Sequence, residues 1–330
     1  MDKVLYYKCG KNDNTFHKKE ANMESSIANL LHEKEHNQSR LEKMMWGSIE
    51  IREKSGNRYI YVHRRIEGIK ESKYVGEYSD DFIRIIQENN ILAKQYKKRI
   101  KEINKELDSI NYESHELSDR VKLNIDLARK YMVDSIYKQA MLEGVATTYS
   151  DTETIVNGGK VSNMTVSDIT KVVNLKRAWE FILSEGVISY STNYPVLCQI
   201  NNIVEDGFSM VAGKLRSVPV KIGGSTYIPP MPIEFVIKEQ LEEIIQSNID
   251  DLDKTIEILL FVMKKQLFLD GNKRTAVIFA NHLLISKGLG LIAIPEDKVK
   301  EYKQLLIAYY EGADTESIKA FLKKECYQKI

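Results

Sequence analysis

The sequence predicts a mainly α-helical fold, and two observations carry that prediction. Long stretches repeat their apolar residues at the 3.6-residue period of an α-helix, and only six prolines interrupt 330 residues. Two apolar runs, 256–263 and 276–285, flank a short polar loop and predict two helices joined by a turn. A chain of this length has room for one large domain or two modest ones.

Composition narrows the possible partners. The net charge is +1, from 48 basic and 47 acidic residues, so no global field favours nucleic acid or a membrane surface. Cys9, Cys198 and Cys326 are widely separated, which argues against a disulfide framework or a zinc site. No apolar run approaches the ~18 residues of a membrane span, and the first residues lack a signal-peptide core. We therefore expect a cytoplasmic protein.

Residues 1–125 predict a separate module. A helix is expected near Ser25–Met45. It is followed by three strands, Gly47–Lys54, Arg58–Ile66 and Lys70–Tyr78, with turns at Ser-Gly-Asn and Glu-Gly. This alternation predicts a β-meander.

A long helix follows the meander. Ser79 or Asp80 can cap its start, and the helical pattern continues to about Ile110. Apolar residues recur within it at spacings of 3, 4 and 3, namely Ile100, Ile103, Leu107 and Ile110. This seam is too short for a free coiled coil, so it predicts packing onto a partner helix.

The same module interleaves basic and aromatic residues, which could meet the phosphates and bases of a nucleic acid. They are Arg58, Arg64 and Arg65 with Tyr59, Tyr61 and Tyr74 on the meander, and Lys94, Lys97, Lys98, Arg99, Lys101 and Lys105 on the helix. A solvated helix face and an ordinary sheet surface explain them equally well. Because the chain is neutral overall, we do not expect nucleic acid as a partner.

The remaining region, 126–330, contains the polar loop Asp270-Gly271-Asn272-Lys273-Arg274. A loop at the start of a helix presents several backbone N–H groups to one point, where the helix dipole also favours negative charge. Asp270 is suited to a divalent cation, Asn272 to a phosphoryl oxygen, and Arg274 to clamping a phosphate as a fork. The alternative is a helix–helix turn with solvated charges, but the convergence of these residue types favours a phosphate site.

The stretch QLFLDGNKRTA, residues 266–276, resembles the signature of the Fic (Fic/Doc) family. The signature is a His-x-Phe-x-Asp/Glu-Gly-Asn-Gly/Lys-Arg loop between two core helices. The matching residues are Phe268, Asp270, Gly271, Asn272 and Arg274. The resemblance extends over about residues 130–325 and implies a Fic-like helical core. Members typically transfer AMP from ATP to a protein hydroxyl, which implies ATP and Mg²⁺ as cofactors, held by the residues 270–274.

Gln266 stands where the family has its histidine, the general base. A carboxamide cannot accept a proton near neutral pH, although it can orient a hydroxyl or a water. General-base catalysis contributes ~10²–10⁴ in rate, so nucleotide binding should outlive most of the transfer activity. His282 lies about two helical turns beyond Arg274, and we interpret it as a packed helix residue and not as a substitute base.

Two further positions depart from the AMP-transferring form. Lys273 replaces a glycine, as in the related Doc toxins, which resemble kinases more than adenylyl transferases. Val277 replaces a second arginine, so one phosphate clamp is missing. These changes leave the reaction class open.

The segment 213–230 predicts a hairpin from the alternation in VPVKI and the Gly-Gly turn. It is similar to the flap that lies over the active site in the family. The resemblance implies that an extended segment of a protein target pairs with the flap edge.

Glu143 and Gly144 resemble the end of the inhibitory helix of self-inhibited Fic proteins, although Gln139 stands at the serine position. In the family this glutamate pairs with the second arginine. Because Val277 stands there, we expect Glu143 to have only Arg274 as a partner. The alternative is an ordinary helix end with Gly144 as its C-cap.

Three functions remain open at this point. The first is a weakened or redirected Fic-type transferase that uses ATP and Mg²⁺ on a protein hydroxyl. The second is a nucleotide-binding regulator without catalysis. The third lets Gln266 orient water for slow hydrolysis, or the site act as a Doc-like kinase.

Overall fold

The chain folds into two units, Met1–Glu113 and Ser114–Ile330. A computed structural model describes residues 13–66, 68–110, 112, 115–313 and 315–329. The division between the units precedes a helix that spans Asp119–Lys130. The boundary predicted at 125/126 falls inside this helix, because a break in composition does not reveal which core a helix joins.

The first unit contains the helix, meander and long helix that the sequence predicts. Its elements are α1 (Asp13–Lys43), β1 (Ser48–Lys54), β2 (Asn57–Ile66), β3 (Ile69–Glu77) and α2 (Asp80–Ser109). The strands form an antiparallel sheet in the order β1-β2-β3. Helix α1 begins before the predicted start.

The core of the first unit lies between the sheet and its helices. Ile60 and Val62 of β2 are buried with Ile86 of α2. Further along α2, Ile103 and Leu107 are also buried, and α2 packs against α1. The apolar seam therefore packs onto a partner helix, as predicted.

The second unit is built from helices. They are α3 (Asp119–Lys130), α4 (Met132–Leu142), α5 (Tyr149–Val156), α6 (Val166–Ile182), α7 (Glu185–Ile188), α8 (Tyr194–Val204), α9 (Glu234–Gln246), α10 (Asp251–Lys265), α11 (Asn272–Ser286), α12 (Val299–Tyr310) and α13 (Thr315–Phe321). Two short antiparallel strands, β4 (Leu291–Ile292) and β5 (Tyr327–Gln328), complete it. In the described part of the chain, no helix has the length and apolarity needed to span a membrane.

The centre of this unit is the antiparallel pair α10 and α11, the two helices that the apolar runs predict. Helix α11 is apolar around most of its circumference and is buried along nearly its whole length. It contacts α6, α8 and α10, so the loop that joins α10 to α11 is held by the core on several sides.

The predicted hairpin at 213–230 is only partly correct. Its turn forms, since the N–H of Ser225 donates to the carbonyl of Ile222 at 3.2 Å. The two arms, however, do not form strands. Pro219, Pro229 and Pro230 have no N–H to donate, which prevents a regular hydrogen-bonded ladder between the arms.

Arg216 joins the arms in place of a ladder. Its guanidinium donates to the carbonyls of Val218 at 3.0 Å, Pro229 at 3.1 Å and Pro230 at 2.6 Å. The segment 213–230, which we call the flap, is therefore a proline-rich loop closed by one buried arginine.

His282 is fully buried on α11, as expected for a packed helix residue. Its Nε2 lies 2.9 Å from the carbonyl of Val187 and its Nδ1 lies 2.8 Å from the hydroxyl of Thr192. A carbonyl can only accept, so Nε2 carries the proton and Nδ1 accepts. Burial lowers the pKa of His282 to about 4. The residue is neutral and enclosed, and it is not a substitute base.

This burial predicts a loss of stability in acid. Unfolded His282 takes up a proton below its ordinary pKa of about 6.5, whereas the folded residue stays neutral until its pKa of about 4. Between those values the free energy of unfolding should fall by about 1.4 kcal/mol per pH unit from this residue. Denaturant unfolding of wild type and His282→Gln from pH 7 to pH 4 measures it. The wild-type curve should be the steeper, and parallel curves would contradict the assignment.

Candidate functional site

The loop between α10 and α11 starts and ends with left-handed backbone. Asp250 caps the start of α10 by accepting from the N–H groups of Leu252 and Asp253. At its other end Gln266 terminates the helix with φ 46°, and Gly271 starts α11 with φ 73°. No side chain caps the start of α11. Its first N–H groups are therefore available to an anion.

Asn272 closes the loop into a ring. Its side-chain oxygen accepts from the N–H of Phe268 at 2.9 Å, and its amide donates to the carbonyl of Phe268 at 2.8 Å. The predicted donation to a phosphoryl oxygen can therefore use only the second N–H of the amide. Most of what Asn272 does is to set the shape of the loop.

Asn201 of α8 also holds this loop through hydrogen bonds. Its amide donates to the carbonyl of Asp270 and to the hydroxyl of Thr275, both at 3.1 Å. Its oxygen accepts from the N–H of Gly213 at 2.9 Å. One buried side chain thus ties the loop to α11 and to the start of the flap. Asn201 is not among the site residues predicted from the sequence.

Gln266 lies at the site but turns away from it. Its amide donates to the carbonyl of Met263 at 2.6 Å, in the last turn of α10. The backbone carbonyl of Gln266 accepts from the guanidinium of Arg216, in the flap, at 2.6 Å. The side-chain oxygen and the second N–H of the amide are the groups that this bond leaves to orient a hydroxyl or a water.

Arg274 lies in the first turn of α11 and only 4% of its surface is exposed. Its Nη2 lies 2.9 Å from an oxygen of Glu205 and 3.7 Å from one of Asp270. Its Nε and Nη1 are buried and have no hydrogen-bond partner. Buried guanidinium groups are normally satisfied, so two open donors mark a place for an acceptor.

Glu205 follows the last residue of α8 and is 3% exposed. Its contact with Arg274 is close in distance but is not aligned as a hydrogen bond. Burial raises the pKa of the Glu205 carboxyl, while Arg274 acts in the opposite direction. The sequence analysis missed this residue too. A carboxylate that directly follows the apolar run of α8 was the available signal.

Gly271 is required because of Glu205. A Cβ at this position would lie 2.6 Å from Oε1 of Glu205, and the positive φ independently disfavours a side chain. The glycine of the motif therefore allows a buried carboxylate to approach the loop closely.

Glu143 does not pair with Arg274, so the expected partner was wrong. Its Oε1 lies 3.5 Å from Nζ of Lys273. Arg274 is already occupied by Glu205, and Lys273 takes the position nearest α4. The helix end also has the form expected for an ordinary C-cap, since Gly144 is left-handed with φ 74° and its N–H donates to Met141.

Asp270 is the exposed member of the site, with 74% of its side chain accessible. Its Oδ1 accepts from the N–H of Gly271 at 2.6 Å. Within the described ranges, no three His, Cys, Asp or Glu residues are grouped to hold a metal ion. A cation at Asp270 would need phosphate oxygens and water as further ligands, and Mg²⁺ is commonly bound in that way.

The flap is attached to this site at two places. At its start, the N–H of Arg216 donates to the carbonyl of Leu267 at 3.0 Å. At its turn, Glu311 accepts from the N–H of Thr226 at 2.8 Å, and the rings of Tyr227 and Tyr310 stack at 6.4 Å. The flap is thus held at its start by the loop and at its turn by residues 310 and 311.

Several buried polar atoms of the second unit have no hydrogen-bond partner. Within the described part of the chain they include both polar atoms of Gln139, Oε1 of Glu143, the hydroxyl of Tyr310, Oε1 of Glu205, and Nε and Nη1 of Arg274. Such atoms are rare in folded proteins unless water or a ligand meets them.

The structure thus has a mainly helical second unit in which a short polar loop precedes an uncapped helix start. Residues 191–284 match the model of the Fic/DOC family, a span that runs from just before α8 into α11. This segment of the chain is therefore similar to a Fic/DOC domain. Glu205, the flap and the loop lie inside the matched span, and Glu143 lies outside it.

Solved structures agree in fold. Fic-1 (aa134–508) from C. elegans has a TM-score of 0.50 at 17% sequence identity, covering 71% of this chain and 71% of that chain. A Fic domain containing signaling protein from Bacteroides thetaiotaomicron has a TM-score of 0.50 at 16% identity, covering 63% of this chain and 86% of that chain. No curated protein sequence matches significantly. The predicted mainly α, Fic-like fold is confirmed.

The close approach of Glu205 predicts an unequal response of two glycines. Gly271→Ala should lower the free energy of unfolding by about 1–3 kcal/mol more than Gly158→Ala. Both positions have positive φ, but only Gly271 faces Glu205, whereas nothing lies within 4 Å of the Cβ position at Gly158. Urea unfolding of both variants measures the difference. Equal losses would mean that backbone conformation alone requires the glycine.

Proposed function

We propose that the loop 267–271 and the first turn of α11 bind the phosphates of a nucleotide, with ATP and Mg²⁺ as the ligands. The observation that carries the proposal is the buried guanidinium of Arg274, which has two donors without partners beside an uncapped helix start. Phosphate oxygens satisfy both features, since they accept from a planar fork and from backbone N–H groups.

Each loop residue has a defined part in this proposal. Arg274 donates to a phosphate, and the backbone N–H groups of Gly271, Asn272 and Lys273 surround it. Lys273 adds a cation that is about one-third exposed and already close to Glu143. Asp270, the most exposed carboxylate of the loop, ligates Mg²⁺ together with the phosphate oxygens.

The reaction that this site supports is AMP transfer from ATP to a protein hydroxyl, at a rate much below that of a site with a histidine. Binding residues and the missing base are separate parts of the site, because Gln266 contacts Met263 and Arg216 and makes no hydrogen bond to Arg274 or Asn272. The loss of a general base raises the barrier by roughly 3–5 kcal/mol without weakening phosphate binding.

The flap supplies a place for the protein target. Its arms are not paired as strands, and Val218 and Ile228 are 48% and 62% exposed. An extended segment of another protein can add to such an edge and place a hydroxyl near the loop. The fixed attachment of the flap at Arg216 and Thr226 keeps that edge in a constant position.

A second candidate is a nucleotide-binding regulator without chemistry. The side chain of Gln266 is bonded back onto α10, and both cations of the loop already have carboxylate partners. These contacts favour occupancy of the site without turnover.

ATP with Mg²⁺ should stabilise the protein against heat. At a ligand concentration of about 100 Kd the gain should be roughly 2.7 kcal/mol, because the ligand binds only the folded state. Arg274→Lys keeps the charge but loses the fork, and it should abolish most of the shift. Differential scanning fluorimetry with ATP, ADP and AMP, each with and without Mg²⁺, measures the effect.

Arg129→Ala is the matched control, because Arg129 is an exposed arginine outside the matched domain that pairs with Asp126. It should respond to ATP like wild type. Melting curves that no nucleotide moves would contradict the phosphate site itself.

Gln266→His should raise transfer of label from ATP to protein by about 10²-fold or more. Histidine is among the residues that tolerate left-handed backbone, so it suits the φ of 46° at this position. Incubation with labelled ATP, Mg²⁺ and cell lysate, followed by electrophoresis, measures the label. Gln266→Asn fits the same backbone without supplying a base and should stay at the wild-type level. Labelling that Gln266→His leaves at background would favour the regulator.

A further inference from the structure

The Arg274–Glu205 pair bears on which ligand the site accepts. Both side chains are only 4% exposed, so water screens their charges poorly. A buried arginine and a buried glutamate 2.9 Å apart have little net charge between them. A phosphate that reaches the two open donors of Arg274 therefore meets an arginine whose charge is largely balanced.

Charges around the loop add to this effect. Asp270 and Glu143 are close enough to act electrostatically on Glu205, and so is Lys171 of α6. Glu143 has Lys273 as its partner. Around the loop, three cations, Arg274, Lys273 and Lys171, are thus balanced by three carboxylates, Glu205, Glu143 and Asp270. An incoming ligand is held by directed N–H groups and not by an excess of positive charge.

Glu205 also has little freedom to withdraw. It lies against Gly271, where the space for a Cβ is filled by its Cγ, Cδ and Oε1 within 3.1 Å. The glutamate directly follows α8, and the backbone carbonyls of the residues on either side of it, Val204 and Asp206, accept from the buried amide of Asn174. A bound phosphate must therefore share Arg274 with Glu205.

We propose, on the basis of the proposed phosphate site, that Glu205 is a specificity-determining residue that makes the site favour singly charged phosphate groups over doubly charged ones. The favoured class is the phosphodiester or internal phosphate of a nucleotide, which carries one negative charge. The disfavoured class is a terminal phosphate monoester, which carries close to two charges at neutral pH. The second charge of a monoester is repelled by a buried carboxylate that no solvent screens.

The test compares two ligands that differ by one charge, AMP and its methyl ester at the phosphate. Isothermal titration gives Kd for both in wild type, Glu205→Gln, Glu205→Asp and Asp206→Asn, with Mg²⁺ and with a chelator. Wild type should bind the ester at least as tightly as AMP. Glu205→Gln should tighten AMP about tenfold and the ester clearly less, because only the carboxylate distinguishes the two charges.

Two variants serve as controls. Glu205→Asp retains the charge and should retain the preference for the ester. Asp206→Asn removes a neighbouring carboxylate that pairs with Arg177 instead, and it should leave the ratio of the two Kd values unchanged. Melting curves without ligand show whether each variant is folded. The comparison of AMP with its ester in wild type does not depend on the variants.

Several outcomes would overturn the inference. The first is that wild type binds AMP more than about threefold tighter than its ester. The second is that Glu205→Gln changes Kd for both ligands by the same factor. The third is that Glu205→Gln weakens the binding of both ligands. If the nucleotides bind and Arg274→Lys removes them, but no charge preference is seen, only this inference fails. If no nucleotide binds any form, the phosphate site fails and the inference with it.

Discussion

A charged residue in the first turn of a fully buried helix constrains the structure around the loop. Apart from Lys273, helix α11 is buried from Asn272 to Ile285, and the guanidinium of Arg274 is largely withdrawn from bulk water. An unpaired buried charge costs several kcal/mol, and the protein must supply a partner. Glu205 is that partner. The end of α8, the glycine at 271 and the loop conformation are all arranged so that this carboxylate can reach the arginine.

The motif residues divide between shaping the loop and presenting it. Asn272 and Gly271 act mainly on shape, the first through two hydrogen bonds to Phe268 and the second by making room for Glu205. Arg274 and Asp270 present charge to a ligand. Two of the motif positions, Gly271 and Asn272, therefore serve mainly to form a tight loop at the start of a buried helix. The contacts to a ligand come from fewer residues than the motif contains.

Much of the fold could be predicted from the sequence because periodicity and turn chemistry are local. The meander and its long helix, the α10–α11 pair and the buried His282 all followed from spacing or from apolar runs. The flap strands did not form as predicted. Alternation in VPVKI is a local signal, but pairing requires N–H groups that three prolines of the segment do not supply.

The parts of the site that escaped prediction depend on contacts between residues far apart in sequence. Glu205 meets Arg274 across 69 positions, and Arg216 meets Gln266 across 50. The local sequence around Glu205 and Arg216 does not indicate their partners, since a glutamate at a helix end and an arginine in a loop are usually solvated. The pairing of Glu143 was expected with the wrong cation for the same reason. Sequence identified which cations were present, but only the fold determined that Glu205 had already taken Arg274 and left Lys273 for Glu143.

Binding and chemistry rely on different interactions at this site, and the substitution of the base separates them. The loop shape depends on Asn272, Asn201 and Gly271, and none of these makes a hydrogen bond to the side chain of Gln266. The carboxamide at 266 adopts left-handed backbone and donates its amide to the carbonyl of Met263. If the proposed phosphate site is correct, its phosphate contacts do not depend on Gln266, whereas the proton of an attacking hydroxyl would have no side-chain base at position 266. In the proposed function, the loop keeps contacts suited to phosphate binding, and the side chain at position 266 limits the rate of transfer because it cannot act as a base.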